Sequence, residues 1–138
     1  MDIVLTHNPS HEDLHEIRCG LLNYNRQFMD IKRITPLGFF INGEQDQKLA
    51  GLTGSIAGDW LRIDMLWVSE ALRGQQVGSR LIQAAEEEAR RQQCRYAQVD
   101  TASFQARPFY EKLGYHLGWT LDNYPHPGQQ RFYLTKDL

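Results

Sequence analysis

Leu66-Trp67-Val68-Ser69-Glu70-Ala71-Leu72-Arg73-Gly74-Gln75-Gln76-Val77-Gly78-Ser79-Arg80-Leu81-Ile82 decides how this 138-residue chain is read. The stretch begins as the end of an apolar strand, crosses a short polar loop, and opens a helix. A helix start exposes backbone N–H groups and the positive end of the helix dipole. Small residues such as Gly74, Gly78 and Ser79 let an anion approach that backbone, and phosphate is the usual guest. No Gly-Lys-Ser/Thr follows, so the loop is not a Walker A. The three-glycine spacing of a Rossmann fingerprint is also absent.

Upstream, Leu37–Asn42, Lys48–Ala57 and Trp60–Val68 read as three strands in series, turning at Asn42-Gly43-Glu44 and at Gly58-Asp59. That order predicts an antiparallel meander. Gly51 and Gly54 inside the second strand mark a bulge or a close approach. Downstream, Gln76–Gln93 carries Val77, Leu81, Ile82, Ala85 and Ala89 at helical spacing. Glu86–Arg90 and Glu87–Arg91 are expected as ion pairs on its solvated face. Arg95–Thr101 is the next strand, so the unit is β-α-β with parallel strands. Phe104–Leu113 reads as a helix closed by Gly114. Tyr115–Leu121 and Gln130–Thr135 are two more strands, joined by the turn-rich Asp122–Gly128.

At the other end, Asp2–Thr6 reads as a short strand stopped by Asn8-Pro9. Ser10 and Asp13 then spell a capping box for a helix of about 13–15 residues, with Leu14, Ile17, Leu21 and Leu22 on one face. His11-Glu12-Asp13-Leu14-His15 matches the His-Glu-x-x-His string of zinc proteases. It occupies a helix's first turn with no third ligand spaced after it. The reading is a solvated turn and no metal.

Composition narrows the function classes. Net charge is −2, so there is no basic footprint for nucleic acid. No apolar run reaches the roughly 18–20 residues of a membrane span. Met1-Asp2-Ile3 opens without a basic leader, and Cys19 and Cys94 form no metal-binding spacing. The expectation is one domain over residues 1–138, cytoplasmic, with reduced thiols and no nucleic-acid or membrane partner.

Two motifs carry a resemblance. Arg73-Gly74-Gln75-Gln76-Val77-Gly78-Ser79 resembles Gln/Arg-x-x-Gly-x-Gly/Ala, the pyrophosphate loop of the GNAT N-acetyltransferase superfamily. Arg73 and Gly78 match; Gln76 stands where the first motif glycine usually sits. That departure is tolerated if the position needs only its backbone N–H and not a positive φ. Ser103-Phe104-Gln105-Ala106-Arg107-Pro108-Phe109-Tyr110-Glu111-Lys112-Leu113-Gly114-Tyr115 resembles the superfamily's Asn-x-x-Ala-x-x-Phe/Leu-Tyr-Glu-Lys-Leu-Gly-Phe. Ala106, Phe109, Tyr110, Glu111, Lys112, Leu113 and Gly114 match, and Ser103 replaces the asparagine. The element order is also that of a GNAT domain. Leu66-Trp67-Val68, Asp100-Thr101 and Tyr124-Pro125 look like one small bacterial subgroup.

The resemblance implies an α/β (α+β) fold with a mixed central sheet of about seven strands, the fourth and fifth splayed at their ends, and about four helices. It implies acetyl-coenzyme A–dependent transfer to a primary amine of a small molecule or protein, by direct attack in a ternary complex. The backbone of Arg73, Gly74, Gln75, Gln76, Val77, Gly78 and Ser79 would cradle the pyrophosphate. Leu66, Trp67 and Val68 would pair with the pantetheine amides like a borrowed strand, with Ser103, Ala106 and Phe109 completing the cofactor site. A backbone N–H near Leu66–Val68 would serve the developing oxyanion.

Tyr110 matches the family's general acid. A thiol titrates near about 8.5 and a phenol near about 10, so the tyrosine holds its proton when a thiolate leaves. Arg62 falls where some members carry a glutamate. Asp64, two residues on and sharing that face, is the only carboxylate between Trp60 and Val68. It is expected to bind the acceptor ammonium or relay its proton, the alternative being a structural pair with Arg62. Tyr24, Asn25, Asp64, Phe104 and Tyr124 are the acceptor-site candidates, with Trp67 and His126 as further wall residues. A non-catalytic acyl-coenzyme A sensor is the alternative function. C-terminal edge strands leave a homodimer open.

Overall fold

The computed structural model describes residues 1–29 and 34–138. It divides into two compact units, Met1–Lys32 and Arg33–Leu138. In the first, α1 spans His11–Asn25, and the expected capping box forms: Ser10 Oγ accepts from the Asp13 N–H at 3.0 Å. His15 lies beside Cys19, with Nε2 3.4 Å from Sγ. Asp2–Thr6 is not a strand. Its apolar Ile3, Val4 and Leu5 are exposed, and among the described residues no strand pairs with it.

The second unit is a six-stranded sheet with two helices. Its strands are β1 (Ile34–Asn42), β2 (Lys48–Ala57), β3 (Trp60–Val68), β4 (Tyr96–Ala102), β5 (His116–Asp122) and β6 (Gln130–Asp137). Their spatial order is β1-β2-β3-β4-β6-β5. Every neighbouring pair is antiparallel except β3 and β4, which flank α2 (Val77–Arg91) in the chain. Among the described residues the sheet therefore has six strands rather than seven. Among the described residues there are three α-helices rather than four, α3 being Arg107–Lys112. The other helical segments, Glu44–Asp46 and Glu70–Leu72, are single 3₁₀ turns, too short to present an apolar stripe to a core.

Alternation along β2 and β3 sends Ala50, Leu52, Ile56, Leu61 and Ile63 inward, where they meet Leu81, Ile82, Ala85 and Ala89 of α2. The core also takes Tyr115 and Leu134. Glu86 departs from the expected solvated face. It is buried among these residues, 3% exposed, and accepts from Tyr115 Oη at 2.8 Å and from Lys136 Nζ at 2.9 Å. The apolar stripe of α2 is wide enough to carry this position into the interior, and two donors from outside the helix satisfy the carboxylate there. Burial first, then the Glu86 charge, pushes the Tyr115 phenol well above its ordinary range.

The sheet opens at a defined point. β3 carries a bulge: Thr53 pairs with Met65 and Gly54 with Ile63, leaving Asp64 as the extra residue. On its other edge β3 pairs with β4 only from Trp60↔Tyr96 to Ile63↔Val99. Beyond that the two strands splay, as expected. Gly54 makes the bulge feasible, because a Cβ there would be driven into the Arg62 carbonyl oxygen.

Two stability predictions follow from this packing. Gly54→Ala should cost about 3 kcal/mol, read as a fall in the urea midpoint at constant m-value; an unshifted midpoint would mean that the bulge relaxes without loss. Glu86→Ala should also cost about 3 kcal/mol, because it strands Lys136 and the Tyr115 hydroxyl; Glu86→Gln, which keeps an acceptor for Tyr115, should cost less in the same assay.

Candidate active site

The loop between β3 and α2 is shaped by two left-handed residues. Gly74 has φ +77° and Gln76, the α2 N-cap, has φ +59° and ψ +24°. The condition for easy replacement of the motif glycine is therefore not met: Gln76 adopts a backbone conformation that suits glycine. Arg73 ties the loop to the strand, its Nε donating to the Val68 carbonyl at 3.2 Å. No side chain caps α2, and its first backbone bond runs from the Arg80 N–H to the Gln76 carbonyl. The N–H groups of Val77, Gly78 and Ser79 therefore point past the helix end.

Val77, Gly78 and Ser79 line a groove of about 490 Å³. Its walls are Leu66, Val68, Leu72, Val77, Ala106 and Phe109, with Arg73, Gly74, Gln76, Gly78 and Ser79 at the polar end. Gly78 keeps the helix start thin; a Cβ there would lie 3.3 Å from Phe109 Cζ. A diphosphate joined to a mostly apolar arm fits this donor set: uncapped N–H groups at one end, aliphatic and aromatic walls along the rest.

A second cavity, about 390 Å³, fills the splay between β3 and β4 and shares Leu66 and Ala106 with the first. Asp64, Trp67, Asp100, Thr101, Gln105, Tyr110 and Arg131 line it. Tyr110 sits on α3 with its ring edge-on to Phe109 and Tyr115, at 5.1 and 6.0 Å. Burial and the Asp100 charge push its phenol up to about 12, so it stays protonated through the neutral range. Asp64 is not buried. Its side chain is 45% exposed, and Arg62 Nε lies 3.1 Å from Oδ1, so the structural pair is present. The bulge carries this carboxylate to the cavity's edge.

The other expected residues are distributed as follows. Ser103 pins β6 instead of facing the groove: its Oγ accepts from the Gln130 N–H at 3.1 Å and its own N–H donates to the Gln130 carbonyl at 2.8 Å. Gln75 points back, Nε2 donating to the Ala71 carbonyl at 3.2 Å. Phe104 is exposed and lines neither cavity, whereas Tyr124 lies beneath Arg131 with the guanidinium carbon 4.6 Å from its ring centre. His126 belongs to the β5–β6 loop, where its carbonyl accepts from the Gln129 N–H. Tyr24 and Asn25 end α1 in the N-terminal unit, Tyr24 packing on Phe28 at 5.3 Å.

Asp100, Thr101, Gln105 and Arg131 were not expected in the site. A signal for the first existed. Leu61-Arg62-Ile63-Asp64 and Ala97-Gln98-Val99-Asp100 share one pattern, and parallel pairing ends at Ile63↔Val99. The two aspartates are thus the first residues beyond the β3–β4 pairing on either strand. Nothing in the local sequence marks Arg131, which enters through the pairing of β6 with β4.

Residues 6–115 match the model of the acetyltransferase (GNAT) family. The chain is 38% identical over 111 residues to blasticidin-S acetyltransferase of Streptomyces morookaense, covering 80% of this chain and 81% of that protein. It superposes on the crystal structure of a proposed acetyltransferase from Agrobacterium tumefaciens with a TM-score of 0.89, 32% identity and full coverage of both chains. An aminoglycoside 6'-N-acetyltransferase solved with coenzyme A shares the fold, with a TM-score of 0.64 at 16% identity over 99% of this chain and 97% of that one.

Gln76→Gly should stabilise the protein by about 1 kcal/mol, since glycine accepts the left-handed backbone without the steric penalty of a side chain. Thermal and urea melts read the change; a comparable loss would show that the glutamine side chain holds the loop by contacts of its own.

Proposed function

This chain belongs to the acetyltransferase (GNAT) family, and from that premise we propose that it moves an acetyl group from acetyl-coenzyme A to the primary amine of a small molecule, by direct attack within a ternary complex. The observation that carries the reading is the meeting of the two cavities at Leu66 and Ala106, the anion-ready end of α2 lying on one side and Tyr110 on the other.

The residues divide the work. Backbone N–H groups of Val77, Gly78 and Ser79 would hold the pyrophosphate, with Arg73 fixing the loop's position. The β3 edge beyond Ile63 has no strand beside it on the β4 side, so its backbone is free to pair with the pantetheine amides and to stabilise charge on the carbonyl oxygen. When bound, acetyl-coenzyme A supplies a thioester carbonyl open to attack by a neutral amine. Tyr110, protonated through the neutral range, would be the proton donor to the departing sulfur. Asp64, at the cavity edge, draws the ammonium form of the acceptor and passes its proton towards solvent. The 38% identity to blasticidin-S acetyltransferase supports a small amine acceptor and makes blasticidin S the first to try.

Calorimetric titration with acetyl-coenzyme A should show binding, and thiol release should then depend on the added amine. A folded protein that neither binds acetyl-coenzyme A nor releases thiol with any amine would overturn the proposal. Tyr110→Phe should lower kcat by about 10²-fold while the affinity for acetyl-coenzyme A holds. Unchanged turnover would assign Tyr110 to packing alone.

A further inference from the structure

The splay cavity holds a cation that the transfer reaction as described does not use. Arg131 rises from β6, opposite Ala102 of β4, and its side chain lines the cavity with Tyr110 and Asp64. Its guanidinium carbon lies 4.6 Å from the centre of the Tyr124 ring. Nε sits 2.9 Å from Asp100 Oδ2, yet out of line for a hydrogen bond, and it has no other hydrogen-bond partner among the described residues. A guanidinium carries five N–H donors in a planar fork. Contact through Nε engages one edge, and among the described residues no hydrogen bond engages the remaining donors, which can meet a planar anion in two parallel bonds.

Resting on the acetyl-transfer reading above, we infer that Arg131 is a specificity-determining residue that binds a carboxylate of the acceptor, so that the preferred acceptors are amines that also bear a carboxylate. The other charges of the cavity select among anions. Asp64 and Asp100 line the same space, so a dianionic phosphate would meet two carboxylates, whereas a single carboxylate held by the guanidinium brings less repulsion. The same two aspartates favour the ammonium end. The cavity thus offers both signs of charge to a zwitterion, with the amine directed towards Asp64 and Tyr110 and the acid towards Arg131.

The test pairs each acid with its amide: L-lysine against L-lysinamide, and β-alanine against β-alaninamide. In the isotope-labelled full chain, the Arg131 Nε–H resonance, assigned by its disappearance in Arg131→Gln, should move with each acid and stay with each amide. In turnover assays the ratio of kcat/KM for acid over amide should fall by about tenfold or more in Arg131→Gln, through KM rather than kcat. Arg131→Lys, which keeps the charge and loses the fork, should fall less and covers the case in which the glutamine variant does not fold. Equal responses to acid and amide, or no response to either, would overturn the inference and leave Arg131 as a link between β6 and β4. Absence of acetyl-coenzyme A binding in parallel titrations would strike the transfer reaction alone, because the resonance shift needs no turnover.

Discussion

At Asp64 the third strand carries one residue more than its neighbour can match, and much of the molecule follows from that surplus. The bulge bends β3 away from β4 just where their parallel pairing stops, so a sheet that would otherwise be continuous parts into a cleft. Only a residue without a side chain can sit opposite, since the Arg62 carbonyl fills the place where a Cβ would be. The cleft exposes strand backbone without exposing a sheet edge to solvent along its whole length. Closing it would deprive Tyr110 of its cavity and merge the donor groove with the core.

A cleft in a sheet needs a brace. The buried carboxylate of Glu86 supplies one, joining the third turn of α2 to Tyr115 at the entrance to β5 and to Lys136 near the end of β6. These contacts lie on the far side of β4 from the splay in the order of strands. An apolar residue would pack there, but it would not specify which part of α2 meets which part of β6; a carboxylate with two donors does.

Much of this was legible in the sequence. The bounds of β2 follow from the turns at Asn42-Gly43-Glu44 and Gly58-Asp59, and the second of these also opens β3. The parallel relation of β3 and β4 follows from the intervening helix, and the loop and α3 motifs carry the family likeness. The misreadings have physical reasons. Asp2–Thr6 has the composition of a strand, but strand structure requires a partner, and composition does not reveal one. Glu86 carries a charge, and a helical wheel places charge outside unless distant residues are known to meet it; Lys136 is fifty positions away. Gln76 fits the motif easily only as a backbone donor with an ordinary φ, and the left-handed φ of +59° that it adopts cannot be read from the residue itself. Arg131 enters the site through strand pairing alone, which no local pattern encodes.

The brace on Glu86 has a consequence for length. α2 is pinned partway along its axis, so it can neither slide towards the cleft nor away from it, and its N-terminal N–H groups stand at a fixed span from the point where β3 and β4 part. On the proposed function the protein would act as a gauge. A ligand held by its phosphates at one end presents its reactive end at the cleft only if the arm between them has the matching reach, and selection by reach is built into the backbone before any side chain inspects the cargo.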